Sequence, residues 1–484
     1  MEINLTNLIQ NRDQKEAELI SKAFYFSEKA HKGQKRESGE DYFSHPLETA
    51  NKLTQLNLDA ATIAAALLHD VVDDTSVNLN QIKKEFSSEI ADLVEGVSKL
   101  GKAKYQGLER YAENLRKFFL AISKDLRVVL IKLTDRLHNM ETIQYLPRNK
   151  QQRIARETLE IYAPIANRLS MGNIKGELED LAFPIACPEE YQKTLKIYNA
   201  RKETHSKYIT GAKRSLVKTL YKNGIKIKEL RGRVKHIYSF YKKLTKYNGN
   251  ADLIFDIVAL RVIVDDIKDC YGAMGIIHSV WKPLPNKIKD YIALPKPNGY
   301  KSLHTTVFGP SGTAIEIQIR TMEMHQEAEF GIATHWLYDE NKSTRSYKQG
   351  RAAALDAKNI NWIQQLAELQ KKSSDTNEFL NELKIDFFND RIFALTPKGD
   401  VIDLPEGATA LDFAFKIHSG IGSKCAMAKV NQRIVPLDYT LQSGEIVEII
   451  TRENTRTNPK WLDIVRTSEA KHKIKNALKK KIEK

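Results

Sequence analysis

Residues 286–320 read NKIKDYIALPKPNGYKSLHTTVFGPSGTAIEIQIR, and they end in a strict alternation. Ile315, Ile317 and Ile319 interleave with Glu316, Gln318 and Arg320, so a β-strand buries the isoleucines and gathers the three polar groups on its other face. Taken alone, such a strand is an amphipathic edge with a solvated polar side. The run ahead of it argues for a site instead. Lys289 and Lys296 offer point charges suited to phosphate, and the Asn298-Gly299 pair marks a tight turn that presents Tyr300, with His304 close behind.

Outward from this stretch, the chain of 484 residues is long enough for three domains. A net charge of +15 suits polyanionic partners, nucleotides or RNA, and on charge alone it suits a plain solvated lysine surface equally well. Cys187, Cys270 and Cys425 lie far apart without a CxxC pair, which points away from disulfides and cysteine-held zinc and towards a reducing, cytoplasmic setting. The first twenty residues do not read as a leader, and no apolar run reaches membrane-spanning length.

Helical spacing dominates the first part of the chain, as in AATIAAALLHDVV and DLRVVLIKLTDRLHNM, and predicts an all-α domain over residues 1–190. Strand-like segments such as IFDIVALRVIVDD then predict an α+β domain over 191–345, entered through a lysine-rich helix. A polar loop from Asp339 to Ala352 and a linker helix around Trp362 are expected within 346–385, then a small β-rich module over 386–452 and a basic helical tail over 453–484.

Within the helical part, His45 precedes Pro46 at a helix entrance, His69 and Asp70 close an apolar helix, and Asp135 interrupts another. Each alone is an ordinary capping aspartate or core histidine. Together, two histidines and two aspartates suit a divalent ion of hard to borderline character. Asp73, Asp74 and Asn139 lie four residues after His69, Asp70 and Asp135, sharing their faces where the helix continues. Metal-activated water with a carboxylate to manage its proton is the implied chemistry. In the second domain, GRVKHIYSFYKKL brings Arg233, Lys235, His236, Ser239 and Lys243 into one basic cluster. Asp256 and Glu316 can share a magnesium ion if their strands run side by side.

HKGQKRESGEDYFSHP, LLHDVVDDT and KLTDRLHNM resemble the hydrolase domain of the Rel/SpoT homologues, which make and destroy the alarmone (p)ppGpp. GRVKHIYS, FDIVALRV, HSVWKPLPNKIKDYIALPKPNGYKSLHTTV, IEIQIRT and MHQEAEFGIATHW resemble the synthetase domain of the same family, and residues 387–451 resemble its TGS domain. The resemblance implies an all-α HD-type hydrolase domain, an α+β nucleotidyltransferase-like synthetase domain and a small β-grasp-like TGS domain. It makes His45, His69, Asp70 and Asp135 ligands of Mn2+, Asp73 and Asp74 the catalytic acidic pair, Asn139 a substrate contact, and Arg36 with Ser38 part of a guanosine pocket. For synthesis it implies that ATP gives its β,γ-pyrophosphate to the 3′-hydroxyl of GDP or GTP. Arg233 then stacks on adenine and Tyr300 on guanine, and Asp256 and Glu316 hold Mg2+, with Glu316 also the base. Lys235, His236, Ser239, Lys243, Lys289, Lys296, Asn298, His304 and Gln318 are taken as further substrate contacts.

His418, in KIHSGIG, matches a histidine that contacts uncharged tRNA in long family members, which implies tRNA and the ribosome as partners and no membrane. Two departures stand out: the family usually has Glu-Asp where this chain has Asp73-Asp74, and often a basic residue where Glu37 stands. A carboxylate one methylene short is expected to slow hydrolysis about 100-fold. Lys287-Ile288-Lys289-Asp290 keeps the basic character of the bifunctional class. Three other readings stay open: a synthetase with a weakened hydrolase, an RNA nucleotidyltransferase carrying an HD domain, and a non-catalytic tRNA or ribosome sensor.

Overall fold

The stretch Val258–Val264 is buried at every position, which in a strand means cover on both faces. The computed structural model describes residues 2–98, 115–116, 119–296, 298–310, 312–334 and 391–482. They divide into two compact units, one up to residue 334 and one from residue 391. The loop expected at 339–352 and the linker helix expected over 346–385 lie outside the described residues.

After a short helix at Glu2–Ile9, the first unit continues with α1 (Gln14–Ala30), capped by Asp13 through the Glu16 amide, then α2 (Ser44–Thr54) and α3 (Ala60–Leu68), capped by Asp59. Helix α3 is hydrophobic all round and every residue but Ala61 is buried, so it forms the centre against which α1 and α2 pack. Helices α4 (Ser88–Ser98), α5 (Arg127–Glu141), α6 (Ala163–Arg168) and α7 (Gly172–Ala186) follow, with further helices at Leu79–Glu85 ahead of α4 and Arg148–Glu157 ahead of α6.

Helix α8 (Pro188–Lys222) is a single 35-residue rod. Tyr191, Leu195 and Tyr198 on its first half pack with Phe183 and Phe240, and Ala212, Leu216 and Leu220 on its second half pack under a five-stranded sheet. That sheet comprises β1 (Ile227–Val234), β2 (Val258–Val264), β3 (Pro283–Asp290), β4 (Leu303–Phe308) and β5 (Ala314–Thr321) in the order β1-β2-β5-β4-β3. Only β2 and β5 pair in parallel. Helix α9 (Ile237–Lys246) follows β1, α10 (Ile267–Val280) crosses from β2 towards β3, and α11 (Met322–Phe330) follows β5.

The isoleucine strand β5 is thus central in the sheet, where its alternation in isolation, without the run ahead of it, reads as an edge. Its isoleucines join Leu260, Val262 and Leu303 beneath α8 and α10. Its polar face is covered too: Gln318 is 4% and Arg320 1% exposed.

The expected division at residue 190 is not a separation of bodies, because α7 is built into both parts. Gly176 of α7 sits where a Cβ would lie 2.2 Å from His236 Nε2. At the other end, Gly331 after α11 has φ 58° and ψ −132°, a conformation suited to glycine, and a Cβ there would lie 1.9 Å from the Leu169 carbonyl oxygen.

The second unit contains the hairpin β6 (Arg391–Leu395) and β7 (Val401–Pro405), and a sheet of β8 (Cys425–Val430), β9 (Arg433–Val435) and β10 (Val447–Thr451) in the order β10-β8-β9. Helices α12 (Ala410–Ile417), α13 (Ser419–Ser423) and α14 (Ser468–Ile482) accompany them. The basic tail expected after residue 452 is a packed part of this unit: Ala470 and Ile474 of α14 bury against Leu411, Phe415 and Trp461. Buried Asp412 fixes it further by accepting from the Arg466 and Thr467 amides. The sequence pattern shows the basic residues of α14, while its apolar stripe is too short to stand out from them.

Gly331→Ala should cost about 3 kcal/mol through backbone strain and the clash with Leu169, read as an earlier urea transition of the intact chain. An unchanged midpoint would contradict this close apposition.

Candidate active sites

Helix α3 ends at His69, and the chain turns before the single helical turn Val71–Asp74. This places His69 and Asp70 opposite His45 of α2 and Asp135 of α5. His45 Nε2 lies 3.1 Å from Asp135 Oδ1 and 3.5 Å from Asp70 Oδ2, and His69 Nε2 lies 3.3 Å from Asp70 Oδ1. The ligating atoms of His45, His69 and Asp70 all fall within 4.8 Å of one another.

His69 Nδ1 donates to the Ala66 carbonyl at 2.7 Å. In the neutral ring this leaves Nε2 as a lone pair, and that buried atom has no hydrogen-bond partner. A lone pair facing carboxylates is repulsive unless a cation lies between them, so the donor set fits a divalent metal ion. Lys132 Nζ holds the outer oxygen of Asp135 at 2.8 Å. Burial alone would raise the Asp135 carboxyl, but the Lys132 ammonium holds it well below the usual range.

The neighbouring acids separate. Asp74 accepts from the Tyr42 hydroxyl at 2.7 Å, and the same hydroxyl lies 3.3 Å from Asp70. Burial raises the Asp74 carboxyl, helped by the charges of Asp70 and Asp73 and opposed by the Tyr42 bond. Asp73 turns the other way and accepts from Ser98 at the end of α4, at 2.8 Å. Asn139 donates to Asp135 at 2.5 Å, and Arg36 reaches Asn139, His138 and Thr142, each at 3.3 Å. Ser38 is bonded to Glu40 in the loop ahead of α2 and touches none of these groups.

The second cluster lies on the polar face of the sheet. Asp256 lies just ahead of β2, and Glu316 of β5 pairs with Ala259 of β2, so the parallel pair brings the entrance of β2 alongside Glu316. One oxygen of Asp256 accepts from Lys235 at 2.5 Å and from Lys243, while its Oδ1 is buried without a partner. That orphan oxygen beside a second carboxylate fits a magnesium ion. Burial lowers the Lys235 ammonium to about 8, against the pull of Asp256. Burial would raise Glu316, but His304, Gln318 and Lys243 hold it well below the carboxylate range.

A chain of bonds runs along this face. Tyr300 donates to His304 Nε2 at 2.7 Å, His304 Nδ1 meets Glu316 at 3.1 Å, Gln318 donates to Glu316 at 2.9 Å, and Arg233 donates to Gln318 at 3.4 Å. Glu316 can only accept, so His304 carries its proton on Nδ1. Lys296 stands over the rings of Tyr291 and Tyr300 at 4.7 and 4.9 Å. Lys289, opposite His304 on the neighbouring strand, is exposed.

Three expected contacts are turned elsewhere. His236 Nδ1 bonds Asp180 of α7 at 2.7 Å, and Ser239 reaches Glu179 of α7 at 3.4 Å. Asn298 donates to the Asn167 carbonyl of α6 at 3.0 Å. Arg261 and Arg320, both buried, share one oxygen of Glu329 at 2.7 and 3.1 Å. Arg261 stands out in the sequence as one charge amid VALRVIV; Glu329 of α11 carries no such signal. Tyr42 and His138 were also not anticipated, although His138 lies three residues after Asp135 and so shares its helix face.

In the second unit, His418 accepts from the Gly420 amide at 3.1 Å and so caps α13. The histidine has a local partner rather than none.

Three family models match the chain: an HD domain over residues 23–172, a region found in RelA / SpoT proteins over 232–343, and a TGS domain over 392–451. A GTP pyrophosphokinase of Myxococcus xanthus is 46% identical over 466 residues, covering 96% of this chain and 60% of that protein. A guanosine-3′,5′-bis(diphosphate) 3′-pyrophosphohydrolase of Aquifex aeolicus (strain VF5) is 45% identical over 481 residues, 99% of this chain and 67% of that protein. The bifunctional (p)ppGpp synthase/hydrolase SpoT of Escherichia coli (strain K12) is 43% identical over 461 residues, 95% of this chain and 64% of that protein. The chain therefore spans about two thirds of the length of these curated relatives.

Glu329→Gln leaves Arg261 and Arg320 buried around an uncharged partner and should destabilise the first unit by about 3 kcal/mol. Urea unfolding of the intact chain measures it, and a loss below about 0.5 kcal/mol would show that the pair does not depend on this carboxylate.

Proposed function

The chain belongs to the RelA/SpoT family, and from that premise we propose that it both makes and hydrolyses (p)ppGpp at two separate sites. The observation that carries the reading is the pairing of two unlike clusters in one compact unit: two histidines converging with two aspartates at His45, His69, Asp70 and Asp135, and carboxylates among lysines around Asp256 and Glu316.

For synthesis, the 3′-oxygen of GDP or GTP attacks the β-phosphorus of ATP, the bond from that phosphorus to the AMP oxygen breaks, and AMP leaves. A magnesium ion held by Asp256 and Glu316 supplies charge neutralisation on the phosphates. Lys235 and Lys243 hold the donor polyphosphate, Arg233 stacks on its base, and Tyr300 stacks on guanine. Lys289, Lys296, Gln318 and His304 line the path between them. Glu316 receives the hydrogen bond of the 3′-hydroxyl and then its proton. His236, Ser239 and Asn298 support the site through α7 and α6 rather than touching substrate, given their partners there.

For hydrolysis, a manganese ion on the four acceptors supplies Lewis acidity towards water and the 3′-pyrophosphate. Asp74, raised by burial and near Asp70, manages the proton. Arg36 and Asn139 receive the nucleotide, with Ser38 at the rim. Asp73, held by Ser98, stands one methylene back from the position a glutamate would reach. This favours a second reading in which hydrolysis is present but weak. Uncharged tRNA or the ribosome is the partner assigned to the second unit, through the free face of His418. A cytoplasmic setting suits these substrates, and among the described residues no helix is long and apolar enough to cross a membrane.

The test is to incubate the protein with ATP and labelled GDP in Mg2+, then return the purified product with Mn2+. Guanosine carrying a 3′-pyrophosphate, then its loss, is expected; no product in the first step would sink the proposal. Glu316→Gln should reduce synthesis at least about 1000-fold and leave hydrolysis intact, and His69→Ala should do the reverse. Asp73→Glu should raise hydrolysis by about 10- to 100-fold, and an unchanged rate would dispose of the short-carboxylate argument. Tyr300→Ala should weaken guanine nucleotide binding about 10-fold, seen as a higher KM for GDP with that for ATP unchanged.

A further inference from the structure

We propose that His138, which contacts no substrate in the reading above, is the positioning residue that fixes His45 in the tautomer able to ligate the metal. The inference rests on the metal centre proposed for His45, His69, Asp70 and Asp135.

His45 Nδ1 and His138 Nδ1 face each other at 2.7 Å, with the ring planes 25° from parallel and the ring centres 4.9 Å apart. Two ring nitrogens at that distance share one hydrogen. Which ring carries it is decided from a third side, because Arg36 Nη1 also points at His138 Nδ1, at 3.3 Å. A guanidinium has only donors, so the nitrogen it faces is an acceptor. His138 Nδ1 is therefore the lone pair, and the shared hydrogen sits on His45 Nδ1. In the neutral ring this leaves His45 Nε2 as a lone pair, pointing at Asp135 and Asp70.

His69 reaches the same state by another route, through the Ala66 carbonyl. The two ligand histidines thus have outer partners of different kinds: a main-chain carbonyl that cannot change, and a side chain that can. His45 and His138 are both buried, at 3% and 7% exposure, so water does not readily replace the partner. Outer hydrogen-bond partners of metal-ligating histidines typically matter by about 10- to 100-fold in metal affinity.

The experiment uses the full chain and titrates Mn2+ by calorimetry, with the wild type, His138→Leu and His138→Asn. Leucine removes the acceptor at similar volume, whereas the asparagine oxygen takes nearly the place of Nδ1. His138→Leu should bind Mn2+ about 10- to 100-fold more weakly and His138→Asn within about threefold of the wild type. Synthesis from ATP and GDP, unchanged in both, reports that the unit is folded. Equal Mn2+ affinity in all three proteins would overturn the role of His138 while leaving the metal centre standing. Equal loss in both variants, with synthesis intact, would also overturn it, since the acceptor would then not be what matters. A wild type that binds no Mn2+ would overturn the metal centre itself, and this inference with it.

Discussion

Strand β5 is largely covered on both faces, yet it carries Glu316, Gln318 and Arg320 on the side away from its isoleucines. Burying three polar groups costs several kcal/mol unless each finds a partner, and the surrounding elements are arranged accordingly. His304 on β4 answers Glu316, Arg233 on β1 answers Gln318, and Glu329 on α11 answers Arg320. What was needed to satisfy the strand also holds Tyr300, His304 and Glu316 in one line of hydrogen bonds.

That line was partly legible in the sequence. Period-two alternation names the face of each residue on β5, and the lysine-tyrosine-histidine run marks what lies above it. The neighbours were not legible, because partners such as Glu329 and His304 are joined by tertiary register and not by local spacing. His236 shows the limit most clearly: it sits among basic residues in the sequence, but Gly176 leaves room for its ring against α7 and Asp180 claims its Nδ1. The residues of the histidine and aspartate cluster were the opposite case. Each was marked locally by a helix end or by interrupting an apolar helix, and those positions are fixed by helix geometry alone.

Helix α7 explains why the first two parts of the chain form one unit. Its acidic pair, Glu179 and Asp180, is held by Ser239, Lys242, His236 and the Tyr238 amide, all in or beside α9. Just before it, Asn167 and Ser170 grip Asn298 in the loop that presents Tyr300. The helical part therefore supports the sheet at two places, behind the lysines and behind the tyrosine, through polar contacts whose partners are single residues.

The two clusters answer the same problem of concentrated charge in different ways. Around His69 the carboxylates and lone pairs face each other with no donor able to satisfy all of them, so the local balance calls for a cation and little else. Around Asp256 two ammonium groups already hold one carboxylate oxygen, while the other, Oδ1, is buried without a partner. A cation taken up at that oxygen would leave Lys235 and Lys243 in place with their positive charge less fully cancelled, because the carboxylate would then be shared. An anion arriving with the cation would meet that surplus, so this site favours the two together, whereas the histidine cluster has no such lysine pair and would take a cation by itself.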